Sequence, residues 1–393
     1  MNNERIKKLN SFAFPLLAQS IMSYFIGLTD QAIVARISTP ALGAVGVVSS
    51  FLGMIAGLIG AITIIFNIRG GKKFGAKDDE GLKNEFYSSL LLSFILGVTF
   101  MILFIIGRTW LFRSVYALSG QIYNQAIIYS NSMSTYVLIQ LFLFAFGTYF
   151  KIHNNTKWIL FGSTTSAIVN LFLDYIFVLG KFGMPKLGVN AAGISTVVSM
   201  LINLTIYAIV LGEQLSIEFL NLRKYFKNAV IQLKESLPLI GQEIFDGFIF
   251  VIAVNAIILR IGTVEYAGYI IINILLGFLN ISKYMYGSAT LTLVGISYGE
   301  KNKKDLEVYP KISIKIITSI YVVLGIVFIL AKNYLPAIVT DDINTHQIVS
   351  LFLAYFIIAN SVSPFTNTYM NALQALGLNI FVLYSTAIIN LLC

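Results

Sequence analysis

Two aspartates lie where an aspartate is expensive. Asp30 and Asp174 each sit about five residues before the outer end of a long apolar run, and a charge at the centre of a bilayer costs roughly 2.5–3.5 kcal/mol on insertion scales. An ionisable side chain at that depth is a functional candidate by default. Asn170 precedes Asp174 by four residues and so shares its helical face. Thr196 enters the next apolar run at a comparable depth. These four offer two carboxylates, an amide and a hydroxyl in one layer. Two carboxylates close together in a low-dielectric site cannot both stay ionised, so one can take up and release a proton. Alternatively the hard oxygens of Asp30, Asn170 and Asp174 can hold Na⁺. The sequence leaves both open, beside the plainer reading that Asp30 caps a turn and Asp174 bonds a neighbouring helix.

A second set lies in the other half of the chain. Glu243 and Asp246 are three residues apart, hence on one helical face, and Lys283 is midway along the following run. Either acid suits a cationic substrate, with Lys283 neutralising one of them. The alternative is a buried ion pair with a packing role.

The elements that must position these residues are membrane helices. Of 393 residues, 57% are hydrophobic and only 11% charged, with mean hydropathy +0.81, whereas soluble domains carry about 25% charged residues. The apolar residues fall in runs of spanning length, too long and too uniform for alternating barrel strands. The runs predict ten complete spans, near 12–35, 41–68, 86–106, 126–150, 158–179, 190–212, 237–259, 266–297, 312–331 and 346–373, and a partial eleventh from 378. The first run is too long for the core of a cleavable signal.

Charge sets the orientation. The net charge of +9 comes from basic residues in short loops, clustered at Arg5–Lys8, Arg69–Lys83, Arg223–Lys234 and Lys301–Lys315. Alternate loops hold few, which places the N-terminus in the cytoplasm by the positive-inside rule and gives no reason to invoke nucleic acid. The mixed-charge stretches 69–85 and 299–308 read as solvated cytoplasmic turns. Pro15, Pro238 and Pro364 are candidate helix distortions. Tyr24, Tyr136 and Tyr369 are candidates for an aromatic lining around flat cations.

Several function classes are excluded. One cysteine, Cys393, and two histidines, His153 and His346, leave no disulfide within the chain and no cysteine or histidine metal site. No Gly-x-x-x-x-Gly-Lys-Ser/Thr loop is present, so ATP hydrolysis has no support. No nucleophile–base set exists, so the chain is read as a transporter that needs no cofactor, not an enzyme.

The chain also repeats. Pro15 returns as Pro238, Arg36 as Arg260, Gly75 as Gly299 and Asn170 as Asn390, in order and at offsets of about 220 to 224 residues. The repeat unit of six helices is even, so the halves share one orientation. The fold expected is two six-helix lobes, 1–222 and 223–393, related by a pseudo-two-fold axis along the membrane normal. Cys393 aligns near Leu173, so the second lobe is expected to be incomplete by about one and a half helices, through truncation or an unusually short lobe.

Three stretches carry a family resemblance: Leu28-Thr-Asp30 through Arg36, Asn170-Leu-Phe-Leu-Asp174 through Thr196, and Ala289 through Gly299. They resemble the multidrug and toxic compound extrusion (MATE) transporters, within the superfamily that includes polysaccharide flippases. The resemblance implies a V-shaped twelve-helix antiporter in the cell membrane. It implies exchange of cationic or amphipathic compounds for Na⁺ or H⁺ by alternating access, with Asp30, Asn170 and Asp174 as the cation or proton site and Thr196 as an addition. Asp246 fits the acid that some members carry on helix 7. Residues 361–367 offer no acid where some members have one, so coupling is assigned to the first lobe. The expected partners are a small molecule and membrane lipids, with the protein a monomer. The alternatives are a lipid-linked saccharide flippase, which wants a cationic cavity, and a non-transporting remnant.

Overall fold

The structure, a computed structural model, describes residues 2–212, 221–245, 251–338 and 342–392. Among these residues there is no strand. The helices are α1 (Asn2–Ala35), α2 (Thr39–Gly75), α3 (Asp79–Trp110), α4 (Gly120–Ser132), α5 (Tyr136–Ile152), α6 (Thr156–Leu173), α7 (Val189–Leu211), α8 (Leu222–Glu243), α9 (Val251–Ile261), α10 (Thr263–Gly299), α11 (Lys303–Leu330), α12 (Ile343–Ala359), α13 (Ser363–Leu376) and α14 (Asn379–Leu392). Among the described residues, eight helices are long and apolar enough to cross a membrane, or nine if the bent pair α4–α5 is one span. These cover nine of the ten complete spans expected from sequence. The tenth, 237–259, includes residues outside those described, and α14 stands at the partial eleventh.

Side-chain caps fix where several helices begin. Asp78 accepts a 2.8 Å hydrogen bond from the Gly81 amide at the start of α3. Asn302 caps α11 through the Asp305 amide, and Asp342 caps α12 through the Thr345 amide at 2.9 Å. The hydrogen bonds from the Thr345 hydroxyl and amide hold the Asp342 carboxyl below the usual carboxylate range.

Two expected spans are interrupted. The run 126–150 is broken between α4 and α5, which meet at 46°. The break falls in the polar stretch Ser130–Thr135, where the Ser130 hydroxyl bonds back to the Ile127 carbonyl, a competition that bends helices, and the Ser132 hydroxyl donates to Asn190. The run 346–373 is divided by a tight 3₁₀ turn at Asn360–Val362, after which α13 restarts with Pro364 in its first turn. Pro lacks the amide hydrogen that the first turn leaves unsatisfied anyway.

The mixed-charge stretches are mostly helix rather than solvated turns, which corrects the expectation. α2 runs seven residues past its apolar stretch to Gly75, and α3 begins at Asp79, so Arg69 and Glu85 lie within helices. Glu85 is 2% exposed.

The described residues divide into two compact units that are discontinuous in sequence. Unit 1 gathers those of Met1–Leu17, Gly71–Lys77 and Leu237–Cys393, and unit 2 those of Ala18–Gly70 and Asp78–Ser236. The core of unit 2 centres on Val48, Leu52, Phe112 and Leu141, that of unit 1 on Leu279, Val349 and Leu353. Outward-facing side chains such as Leu103, Ile106, Ile209 and Leu330 are apolar and mostly exposed, as helices solvated by lipid require.

In unit 1 the start of α1 is tied down by polar contacts. Arg5 pairs with Asp305 at 2.6 Å, and the Tyr286 hydroxyl donates to Asn10 at 2.9 Å. The end of α2 crosses the end of α10 backbone to backbone. A Cβ on Gly75 would collide with the Ile296 carbonyl, and one on Gly299 with the Lys72 carbonyl. The two glycines that correspond in the repeat therefore seat against each other's helices.

Candidate functional site

Asp30, Asn170 and Asp174 converge inside unit 2. Asp30 lies near the C-terminal end of α1. Asn170 lies in the last turn of α6. Asp174 is the first residue of a π-helical segment, Asp174–Val178, that continues α6. Such widened turns inside helices occur frequently at functional sites. Asn170 is 5% and Asp174 2% exposed.

Asn170 organises the cluster. In the amide orientation that satisfies both ends of its side chain, its nitrogen donates to the two Asp30 oxygens at 3.0 and 3.2 Å, and its oxygen accepts from the Thr196 backbone amide at 3.3 Å. The Thr196 hydroxyl donates back to the Ala192 carbonyl at 2.9 Å. Thr196 therefore supports the cluster through its backbone. Asp174 has the Ser195 hydroxyl as a hydrogen-bonding neighbour and feels the Asp30 charge, while its Oδ1 is buried without a hydrogen-bond partner. Tyr129, which shares a 3.1 Å hydrogen bond with Ser49, also lies within the field of both aspartates.

Among the described residues, neither Asp30 nor Asp174 is ion-paired. Two carboxylates, neutral polar neighbours and an unpartnered oxygen form an arrangement without a cationic side chain, which a proton or a small hard cation would stabilise.

Beside the cluster, Thr29, Ala32 and Ile33 of α1 and the following Arg36 line a mostly apolar groove of about 570 Å³ with Ile168, Leu171 and Phe172 of α6.

Ser195, Tyr129 and Ser49 were not singled out from sequence. A serine or tyrosine costs little in a membrane helix, so only its position beside Asp174 marks it. The second candidate set is only partly described. Asp246 lies outside the described residues. Glu243 is exposed at the end of α8, and its charge acts on Tyr284. Lys283, on α10, is 8% exposed, with Nζ 4.7 Å from the centre of the Tyr284 ring. The structure so brings Glu243 and Lys283 to the same tyrosine. Among the described residues Lys283 makes no ion pair. Tyr24 and Tyr136 are in unit 2 and Tyr369 in unit 1.

The fold is that of a polytopic helical membrane protein. The sequence model of the MatE family matches residues 15–176 and 238–393, and the chain belongs to that family. Its members are transporters, not enzymes, and need no cofactor. The chain is 25% identical over 348 residues to the "Probable multidrug resistance protein NorM" of Photorhabdus laumondii, covering 87% of this chain and 75% of that protein. It is likewise 25% identical over 360 residues to the "Probable multidrug resistance protein YoeA" of Bacillus subtilis, covering 88% and 73%. Among solved structures, the Vibrio cholerae MATE transporter VcmN in the bent form is similar, with a TM-score of 0.89 and 16% identity over 98% of this chain and 87% of that one. A MATE protein in complex with MaL6 gives a TM-score of 0.87 and 22% identity, over 98% and 86%. At these identities the likeness is one of fold.

Proposed function

We propose that the protein is a secondary active antiporter. It exports cationic or amphipathic drugs or metabolites in exchange for Na⁺ or H⁺, by alternating access of two lobes, 1–222 and 223–393, with its N-terminus in the cytoplasm and one chain as the working unit. The observation that carries this reading is the Asp30–Asn170–Asp174 cluster. A carboxylate pair with one member buried and the other half-buried, lacking a cationic side chain, has a higher free energy when empty than when it holds an ion. Ion uptake and release therefore change the energy of the lobe by several kcal/mol, and a two-state fold biased by that change is coupled to the ion gradient.

The substrate class rests on the relatives' names and on the negative character of the cluster. An acidic layer suits a cation better than the pyrophosphate of a lipid-linked saccharide, which weighs against the flippase reading. Glu243, Asp246 and Lys283 are the proposed charges that meet substrate in the second lobe.

The test is efflux of a fluorescent cation from proteoliposomes under an imposed Na⁺ or H⁺ gradient. Wild type should respond to one gradient, and Asp174→Asn should not. Equal efflux from both would refute the assigned ion site.

A further inference from the structure

The outward face of unit 1 carries a groove with a basic mouth. It runs between α11 and α13 and has a volume of about 880 Å³. Lys311 and Lys315 stand at one end, one helical turn apart, and Val322 lines the other. Phe365 and Tyr369 form the α13 wall and are 45% and 48% exposed.

The dimensions match one leaflet. From Lys311 to Val322 the helix rises about 16 Å, roughly half of a 30 Å hydrocarbon core. The groove is charged at one end only, and past Lys315 its lining is apolar apart from hydroxyls.

The mouth has charge to spare. Lys311 reaches Glu307 at 3.4 Å, but both side chains are mostly exposed, at 64% and 75%, and such pairs contribute little. Lys315 makes no ion pair among the described residues. Two ammonium groups above an apolar channel one leaflet deep complement an amphiphile with an anionic head, and basic pockets at a membrane's cytoplasmic face hold anionic lipid headgroups in this way.

We propose that this groove binds an anionic phospholipid from the leaflet at the Lys311 end. Its phosphate lies on Lys311 and Lys315, and an acyl chain runs along Val322 and Phe365. The site is separate from the ion cluster and does not depend on the transport reading.

The experiment uses the full chain in detergent, titrated with dioleoyl-phosphatidylglycerol or dioleoyl-phosphatidylcholine, with retained lipid counted by native mass spectrometry. Wild type should retain phosphatidylglycerol roughly tenfold over phosphatidylcholine. Lys311→Gln/Lys315→Gln should lose that preference. Val322→Trp, which fills the channel and keeps both charges, should lose retention of either lipid. All three positions face outward, and an unchanged melting temperature in phosphatidylcholine verifies folding. Inorganic phosphate at millimolar concentration should not displace the lipid. Equal retention of the two lipids by wild type overturns the proposal, as does an undiminished preference in the double variant. Displacement by phosphate alone reduces the site to a phosphate patch. A fluorescent amphipathic cation that binds more tightly once the lysines are removed would assign the groove to substrate instead.

Discussion

Unit 2 buries two kinds of carboxylate, and they live in opposite company. Glu85 accepts from Arg69 at 2.8 and 2.9 Å, from Asn228 at 3.0 Å and from Gln232 at 2.7 Å. Arg69 is held in turn by Glu235 and Asn228. Asp30 and Asp174 have an amide, a serine and each other's charge. In the first cluster the buried Glu85 is fully answered by protein, the partly exposed Glu235 shares the same arginine, and the cluster ties α2 and α3 to α8. In the second, no cationic side chain among the described residues answers either acid. A paired glutamate lies where α2, α3 and α8 are joined, whereas the unanswered acids lie where the proposed antiport needs an ion to come and go.

That contrast can be broken. The largest effect is expected at the Arg69–Glu85 cluster: Arg69→Ala strands Glu85 and should cost about 3–5 kcal/mol, read as a lowered melting temperature in detergent. Replacing both partners, Arg69→Met with Glu85→Leu, should recover much of the loss, because an apolar pair no longer buries an unmatched charge. At the aspartate cluster the order reverses. Asp174→Asn should leave the melting temperature unchanged or raised while ion-coupled efflux falls about a hundredfold, equivalent to about 2.7 kcal/mol. A melting loss as large as that of Arg69→Ala would erase the distinction. Asn170→Ala removes the amide that holds Asp30 in place and should reduce coupled efflux about tenfold with both acids intact, roughly 1.4 kcal/mol.

Two capping carboxylates set the lower end of the scale. Asp78→Ala should destabilise the start of α3 by about 1 kcal/mol, seen as faster amide exchange at Gly81. Asp342 gives the smallest effect. Its folded-state pKa is lowered by Thr345, so its contribution is present above the ordinary carboxylate pKa of 3.8 and is lost as pH falls through the lower folded value. Asp342→Asn should keep the cap and remove that pH dependence from exchange at Thr345.

The sequence exposed the aspartate cluster because lipid makes charge conspicuous. Asp30, Asn170 and Asp174 stand out against apolar runs, and helical spacing puts the last two on one face. The π-helical segment at Asp174 and the serine beside it were hidden, since neither changes composition. The Arg69–Glu85 cluster reads in sequence as a solvated turn: both residues lie in a charged stretch, and one-dimensional sequence cannot tell a helix that outruns its apolar run from a loop. Spans were legible where polarity was uniform. They failed at Ser130–Thr135, where a polar stretch interrupts an otherwise apolar run. Pro364 did signal the break before α13.

The seating of Gly75 and Gly299 has a consequence for ancestry. Each lies against the other's helix through the same pair of surfaces, the geometry of a self-complementary dimer contact. If the halves descend from one duplicated gene, this crossing is a fossil of the contact between two separate copies. A single substitution would then have struck that contact twice. In one chain it strikes once, so each glycine can be altered alone, yet both copies still carry glycine because the facing carbonyl leaves room for nothing larger.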